Sequence, residues 1–288
     1  MPESNHDSVT VVITCFNYGI YLEEAINSLK SQDRGAPQII LVDDGSTQTE
    51  TLRILSQLEQ DPAVRVLRQD NAGLSAARNA GLGLATTPLV MALDADDMLA
   101  PGALSALRAA LDSHPEASYA YGQIQFFGDW SGELQMPPFD PWRLMFRHII
   151  GPTALMRREL IETTGGYDPA FDYEDWEIWV HALACGMRGT KVEVPSHLYR
   201  RHGRTKLSGD RANFRSTTKR MQTKHSGLYG DLRSAAQSST LGFRERLIYR
   251  WIWGQRLWPA WAETALYSVL FRVRRLAGRS RSTTTTER

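Results

Sequence analysis

Only two cysteines, Cys15 and Cys185, occur among the 288 residues. Two thiols cannot build a disulfide framework, and no Cys/His spacing spells a structural zinc site. Long apolar runs are also missing. A stretch of about 18 uninterrupted apolar residues, the minimum for a clear transmembrane helix, does not occur. The first eight residues are polar and hold no apolar signal core, so secretion is not expected. Internal repeats are absent. Low complexity is confined to Arg279–Arg288, with its four threonines, which reads as a disordered tail. What is present is ordinary for a globular protein: 42% apolar and 23% charged residues, which excludes a wholly disordered or fibrous chain. The length suits one large domain or two small ones and buries a core without staples.

The net charge of +1 hides an asymmetry. Residues 1–198 hold 13 Lys/Arg against 27 Asp/Glu, a net of −14. Residues 199–225 hold 9 against 1, a net of +8, and residues 241–288 hold 10 against 3, a net of +7. The basic third calls for an anionic partner: phosphates, a membrane surface or nucleic acid.

The first half alternates strand and helix signals. Val9–Cys15, Gln38–Val42, Val64–Arg68 and Leu89–Leu93 read as strands. Between them, Leu22, Ala25, Ile26 and Leu29, then Leu52, Leu55 and Leu58, recur at helical spacing. Ser75–Leu84 reads as a third helix with Ser75 as its N-cap, and Pro101 opens a fourth. This alternation predicts an α/β fold with a mostly parallel sheet covered by helices. Beyond Pro115 the pattern loosens. Tyr119–Phe127 and Gly151–Met156 read as strands, 128–141 as a loop, and a short helix starts at Glu174. Trp176 and Trp179 on that helix read as core.

In an open parallel sheet, ligands bind beyond the carboxyl ends of the strands. Asp43-Asp44 and Asp94-Ala95-Asp96-Asp97 both fall there. Five acids on one sheet edge repel, so a divalent cation, an arginine or a hydrogen-bonding ligand must compensate. Oxygen ligands favour Mg²⁺ or Mn²⁺ over zinc. Arg78, within the Gly73–Gly81 stretch, could reach either a phosphate or the acid cluster. The plainer reading makes the aspartates turns and caps, and makes Glu174, Asp175 and Glu177 favourable charges at a helix N-terminus.

Five elements in order resemble glycosyltransferase family 2. Val12-Ile13-Thr14-Cys15-Phe16-Asn17 with Tyr21-Leu22 is similar to its opening strand and loop. Asp43-Asp44-Gly45-Ser46, Asn71–Gly81 and Asp94-Ala95-Asp96 are similar to its second, third and metal-binding signatures, and Glu174-Asp175-Trp176 to its catalytic motif. The likeness fades after about residue 210. It implies a GT-A fold: a nucleotide-sugar-binding half at 1–115, an acceptor-binding half at 116–225, and here a basic aromatic helical extension at 226–288. It implies an inverting transfer of sugar from a nucleotide donor, usually a UDP-sugar, to a hydroxyl of a glycan or lipid-linked acceptor in cell-surface polysaccharide synthesis.

By the same resemblance, Thr14 and Phe16 flank the nucleobase, Asp44 hydrogen-bonds it, and Arg78 lies near the nucleotide. Phe16 stands where the family often has tyrosine, so a hydroxyl contact is lost while stacking survives. Asp94 sits by the ribose and metal, and Asp96 is the main ligand of a divalent Mn or Mg ion. Asp175 is the base, with Glu174 as the fallback. Tyr199-Arg200-Arg201-His202 resembles a Tyr-Arg-x-His element in which His202 completes the metal shell or contacts the diphosphate, although a solvated basic loop explains it equally well. Ser208 fits the same element, whereas Lys206, Lys219 and Arg220 are as readily surface.

Residues 243–276, with Trp251, Trp253, Trp258 and Trp261 among several arginines, fit a helix in a membrane interface or a helical tail docked on the protein. A lipid-linked acceptor implies a cytoplasmic enzyme, peripheral at the inner face of the cell membrane. Two other functions stay open: a nucleotidyltransferase of related fold, and a non-catalytic nucleotide-sugar-binding or membrane scaffold. The loop after the first strand holds no basic residue, against the former; the intact acids at 44, 94, 96 and 175 speak against the latter. Nucleic acid is not expected, since the tail carries no recognised motif.

Overall fold

The computed structural model describes residues 9–33, 35–202 and 211–253. Its first half is a strand–helix alternation. β1 (Val9–Cys15), β2 (Gln38–Asp44), β3 (Val64–Gln69) and β4 (Leu89–Asp94) are joined by α1 (Leu22–Lys30), α2 (Thr49–Leu58) and α3 (Leu74–Gly83). β1 is buried along its whole length. Its side chains alternate between two cores: Val12 joins one, and Val11 and Ile13 join the other. Period-two alternation with both faces apolar is what a central parallel strand needs.

The second half completes the sheet with strands of mixed direction. β5 (Met98–Leu99), α4 (Ala103–Ser113), β6 (Ala117–Gly128) and β7 (Gly132–Leu134) come first. α5 (Pro141–Phe146), β8 (Leu155–Arg157), α6 (Arg158–Thr164), α7 (Glu174–Ala184) and β9 (Arg188–Arg201) follow. The order is β3-β2-β1-β4-β8-β6-β9-β5, with β7 on β6. Pairs β1–β2, β1–β4, β2–β3 and β6–β9 are parallel, and the rest are antiparallel. The expected helix-flanked mixed sheet is therefore present, with its parallel character concentrated in β1–β4. The chain steps outward from β1 through β2 and β3, then crosses back to β4. That reversal opens a crevice at the carboxyl ends of β1 and β4.

Local readings differ in places. Ser75 does not cap α3; Gly73 does, at φ 89°. Only glycine adopts that backbone cheaply, and it turns the Gly73 N–H onto the Asp44 carboxylate. The expected strand at 151–156 shrinks to β8, and the expected loop at 128–141 contains β7. Gly81 lets α3 sit close on the sheet: a Cβ there would come within 2.3 Å of Val12.

The described part of the C-terminal extension is helical and docked. α8 (Arg211–Lys224), α9 (Ser226–Gly230), α10 (Leu232–Gln237) and α11 (Phe243–Ile248) lead into a π-helical turn at Tyr249–Trp253. Trp142, Met145 and Phe146 of α5 form a third core with Ala235, Leu241 and Tyr249. Buried Asp140 accepts hydrogen bonds from Ser239 and Thr240, and buried Arg143 donates to the Tyr249 hydroxyl at 2.9 Å. Among the described residues no helix is long and apolar enough to cross a membrane. The expected tail at 279–288, the remainder of the 243–276 segment beyond 253, Lys206 and Ser208 lie outside the described residues.

Candidate active site

The carboxyl ends of β1, β2 and β4 bring most of the expected residues to one edge. Thr14 pairs with Asp94 in the β1–β4 register, and Cys15 with Asp43 in β1–β2. Phe16, next along the chain, is 45% exposed at the mouth of the crevice. Its loop is fixed from below. The Asn17 side chain accepts hydrogen bonds from the backbone N–H groups of Thr47 and Gln48, so it holds the start of α2. Thr14 Oγ1 is buried without a partner among the described residues. Burial pushes the Cys15 thiol up to about 11, so it is no nucleophile at neutral pH.

Repulsion among the acids is relieved one residue at a time. Asp43 accepts from the Ser46 N–H. Asp44, buried, accepts from Gln69 Nε2, Ala72 N and Gly73 N at 2.7–2.9 Å, and so shapes the 69–73 loop. Asp97, also buried, takes His197 Nε2 at 2.7 Å and the Arg200 N–H at 2.9 Å. Burial raises the Asp97 pKa, opposed by the His197 imidazole.

Arg78 is 2% exposed and bridges Asp94 at 2.8 Å and Glu174 at 2.9 Å. Of its two expected destinations the structure gives the acid cluster, not an open nucleotide contact. Burial alone would favour the neutral guanidine. The carboxylates of Asp94 and Glu174 and the nearby Tyr167 outweigh it, so its pKa is raised further. Glu174 is itself pushed up, first by burial and also by Asp175, against the pull of Arg78. Committed to Arg78, Glu174 is poorly placed to take a proton. Asp175 is held apart from Arg78: Oδ1 accepts the Trp176 N–H, and Oδ2 lies 3.3 Å from His148 Nε2.

Asp96 and His202 meet at 2.8 Å, Oδ2 to Nε2, with side chains 24% and 28% exposed. They converge because β5 pairs with β9 just beyond the aspartates. The Tyr199-Arg200-Arg201-His202 run is thus the end of a strand. Tyr18 and Tyr21 pack on the His202 ring at 5.6 and 5.2 Å between centroids. The Arg200 guanidinium lies 4.7 Å over Tyr21 and donates to the Asp96 carbonyl.

His197, His148, Tyr18 and Arg200 escaped the sequence reading as site residues. His197 and Arg200 have a signal in hindsight: Arg200 is the arginine of the Tyr-Arg-x-His element, and His197 stands two residues before it. His148 has none: it stands alone in a loop 27 residues before Asp175.

The model of Glycosyl transferase family 2 matches residues 10–167, more than half of the chain. The chain belongs to glycosyl transferase family 2. An uncharacterised glycosyltransferase of Nostoc sp. is 40% identical over 32% of this chain and 29% of its own length. The amylovoran biosynthesis glycosyltransferase AmsE of Erwinia amylovora is 27% identical over 57% of this chain and 65% of its own. The matched stretch is under two thirds of either relative. Among solved structures, S. aureus TarS 1-349 in complex with UDP-GlcNAc superposes with a TM-score of 0.63 at 18% identity, over 84% of this chain and 70% of that one. That likeness extends to the fold: the mixed sheet and flanking helices are those of this family 2 architecture.

Proposed function

We propose that this family 2 protein is a metal-dependent inverting glycosyltransferase that moves a sugar from a UDP-sugar to a hydroxyl of a glycan or lipid-linked acceptor in polysaccharide synthesis. One observation carries the reading. Arg78 ties Asp94, on the donor side, to Glu174, so that Asp175 stands one residue from a carboxylate locked onto the donor cluster. Family membership supports the reaction class. AmsE, named for amylovoran biosynthesis, and TarS, solved with UDP-GlcNAc, support the acceptor and donor classes.

The residues divide the work. Phe16 and Thr14 flank the base, Asp44 orders the loop beside it, and Asp94 sits by the ribose. Asp96 and His202 suit a divalent ion: a carboxylate and an imidazole already face one another, partly exposed. Among the described residues no group of three or more ligands forms a protein-only cage. Mg²⁺ or Mn²⁺ commonly takes one or two protein ligands and fills its shell with substrate phosphates and water. Such an ion would neutralise the leaving diphosphate. As the acceptor oxygen bonds to the anomeric carbon, the bond to the diphosphate breaks with its electron pair leaving on phosphate oxygen. Asp175 takes the acceptor proton.

Thermal unfolding with UDP, GDP, TDP or CMP, with and without Mn²⁺, tests the donor site. We expect UDP with Mn²⁺ to stabilise the protein, by about 2.7 kcal/mol at a hundredfold excess over Kd. Asp96→Ala should abolish the gain. A gain indifferent to Mn²⁺ and to Asp96→Ala overturns the metal assignment, and no response to any nucleotide overturns the donor site.

A second reading concerns location. Phe243, Leu247 and Trp251 recur every fourth residue and are exposed by 69%, 39% and 55%. With Arg244 and Arg250 beside them, they fit peripheral attachment to the inner face of the cell membrane.

A further inference from the structure

Among the carboxylate–imidazole contacts of the described residues, one lies at the catalytic candidate Asp175 itself, with His148. His148 follows α5 in the chain. Its Nε2 is 3.3 Å from Asp175 Oδ2, and the two side chains are 23% and 16% exposed. The two atoms are within reach but make no hydrogen bond, so Nε2 is a buried polar atom without a hydrogen-bond partner among the described residues. Buried nitrogens in that state are uncommon and call for a reason.

The ring is held independently of that contact. His148 stacks on Trp176, 19° from parallel with centroids 6.3 Å apart, and Trp176 stacks on Phe214 at 17° and 5.1 Å. Trp176 is fully buried, and its indole N–H donates to the Leu144 carbonyl at 2.8 Å. Trp176 also follows Asp175 directly and gives that carboxylate its own backbone N–H. One rigid residue therefore sets both, the imidazole through its ring and the carboxylate through its backbone N–H. The titratable neighbours of Asp175 are Glu174, already held by Arg78, and Tyr167, a neutral phenol that burial and the nearby acids keep protonated.

We propose that His148 is a positioning residue for Asp175, gripping its carboxylate through Oδ2 so that the remaining lone pairs face the acceptor hydroxyl. This rests on Asp175 being the base. A carboxylate at a helix start is free to rotate about χ2. A second anchor removes that freedom and fixes the line from base to acceptor oxygen, where an error of an ångström costs about a hundredfold in rate. The 3.3 Å gap closes into a hydrogen bond when the acceptor is bound, as catalytic hydrogen bonds commonly tighten in the reacting complex.

The test uses the full chain, UDP-GlcNAc and Mn²⁺, with UDP release as the assay. His148→Phe keeps a ring on Trp176 but removes both nitrogens. It should lower kcat tenfold or more while the donor KM stays within twofold. His148→Gln, which restores an N–H, should recover most of the loss. In the double variant with Asp175→Asn the two losses should not multiply. Separately, the side-chain ¹⁵N resonances of His148, identified by their loss in His148→Phe, should move in Asp175→Asn at one fixed pH. Wild-type kcat in His148→Phe alongside an inactive Asp175→Asn overturns the proposal, and so do unmoved resonances. If wild-type protein releases no UDP, the donor reading fails, and the resonances alone decide the pair.

Discussion

Arg78 is the residue on which the site's electrostatics turn. It is buried between two carboxylates, Glu174 at 10% exposed and Asp94 at 28%. Removing one member of such a group strands the others, at about 3–5 kcal/mol. Arg78→Leu should therefore lower Tm sharply and also abolish UDP-dependent stabilisation. Arg78→Lys should restore part of the Tm but not both contacts, because a single ammonium cannot fork to Asp94 and Glu174. Thermal unfolding of both variants with and without UDP and Mn²⁺ checks this. A fully stable Arg78→Leu would mean that the acids find other partners. The sequence left Arg78 a choice between a phosphate and the acid cluster, and gave no sign of Glu174 as its partner. The two are 96 residues apart, and no local pattern carries that pairing.

At the scale of elements, α7 carries two systems on one short helix. Glu174 and Asp175 face the site, and Glu177 faces α8. Glu177 takes His225 at 2.7 Å and Lys224 at 2.9 Å, and Lys224 also reaches Asp168 at 2.7 Å. Burial would raise the Glu177 pKa, but His225 and Lys224 hold it below its ordinary 4.5. Asp168 is likewise below 3.8: burial opposes, while Lys224 and the Ala170 N–H prevail. Both carboxylates thus contribute stability that is present above those ordinary values and lost as pH falls through the lowered ones. The Lys224 pKa is raised above 10.5, against burial, by Asp168 and Glu177, so its share is complete below 10.5 and lost at higher pH. Wild type should exceed Lys224→Met in Tm at neutral pH, and the gap should close below pH 3.8, where both acids protonate. A gap independent of pH would show that Lys224 acts through its stem alone. The same scale explains which elements the sequence showed. β1, β2 and β4 are apolar runs and β3 interleaves apolar residues with arginines, all closed by turns, so their presence was plain. β9 was missed because its 14 residues are half-exposed and largely polar, and β5, with two residues, has no period at all.

At the scale of the whole molecule, charge separates from fold. The acidic 198 residues build most of the sheet and the carboxylate edge; the basic remainder opens with the end of β9 and His202 and continues into helices docked on α5. The docking was legible only as one of two alternatives, because a face that meets a protein and a face that meets a lipid share the same aromatic and basic composition. The described part carries one buried face and one exposed face. Tyr249 is buried against Arg143, while Phe243, Leu247 and Trp251 point away from the core. Large apolar side chains left exposed in a row on a basic segment are costly in water and suit an anionic interface, where each nearby cation adds about 1 kcal/mol. The full chain should therefore sediment with vesicles of phosphatidylglycerol and far less with phosphatidylcholine. Added salt should weaken the binding, and replacing Phe243, Leu247 and Trp251 together by serine should abolish it without lowering Tm, since none of the three is buried. Equal sedimentation of wild type and the triple variant would move the attachment elsewhere on the chain. No sedimentation with either lipid would leave the acceptor to reach the enzyme from solution.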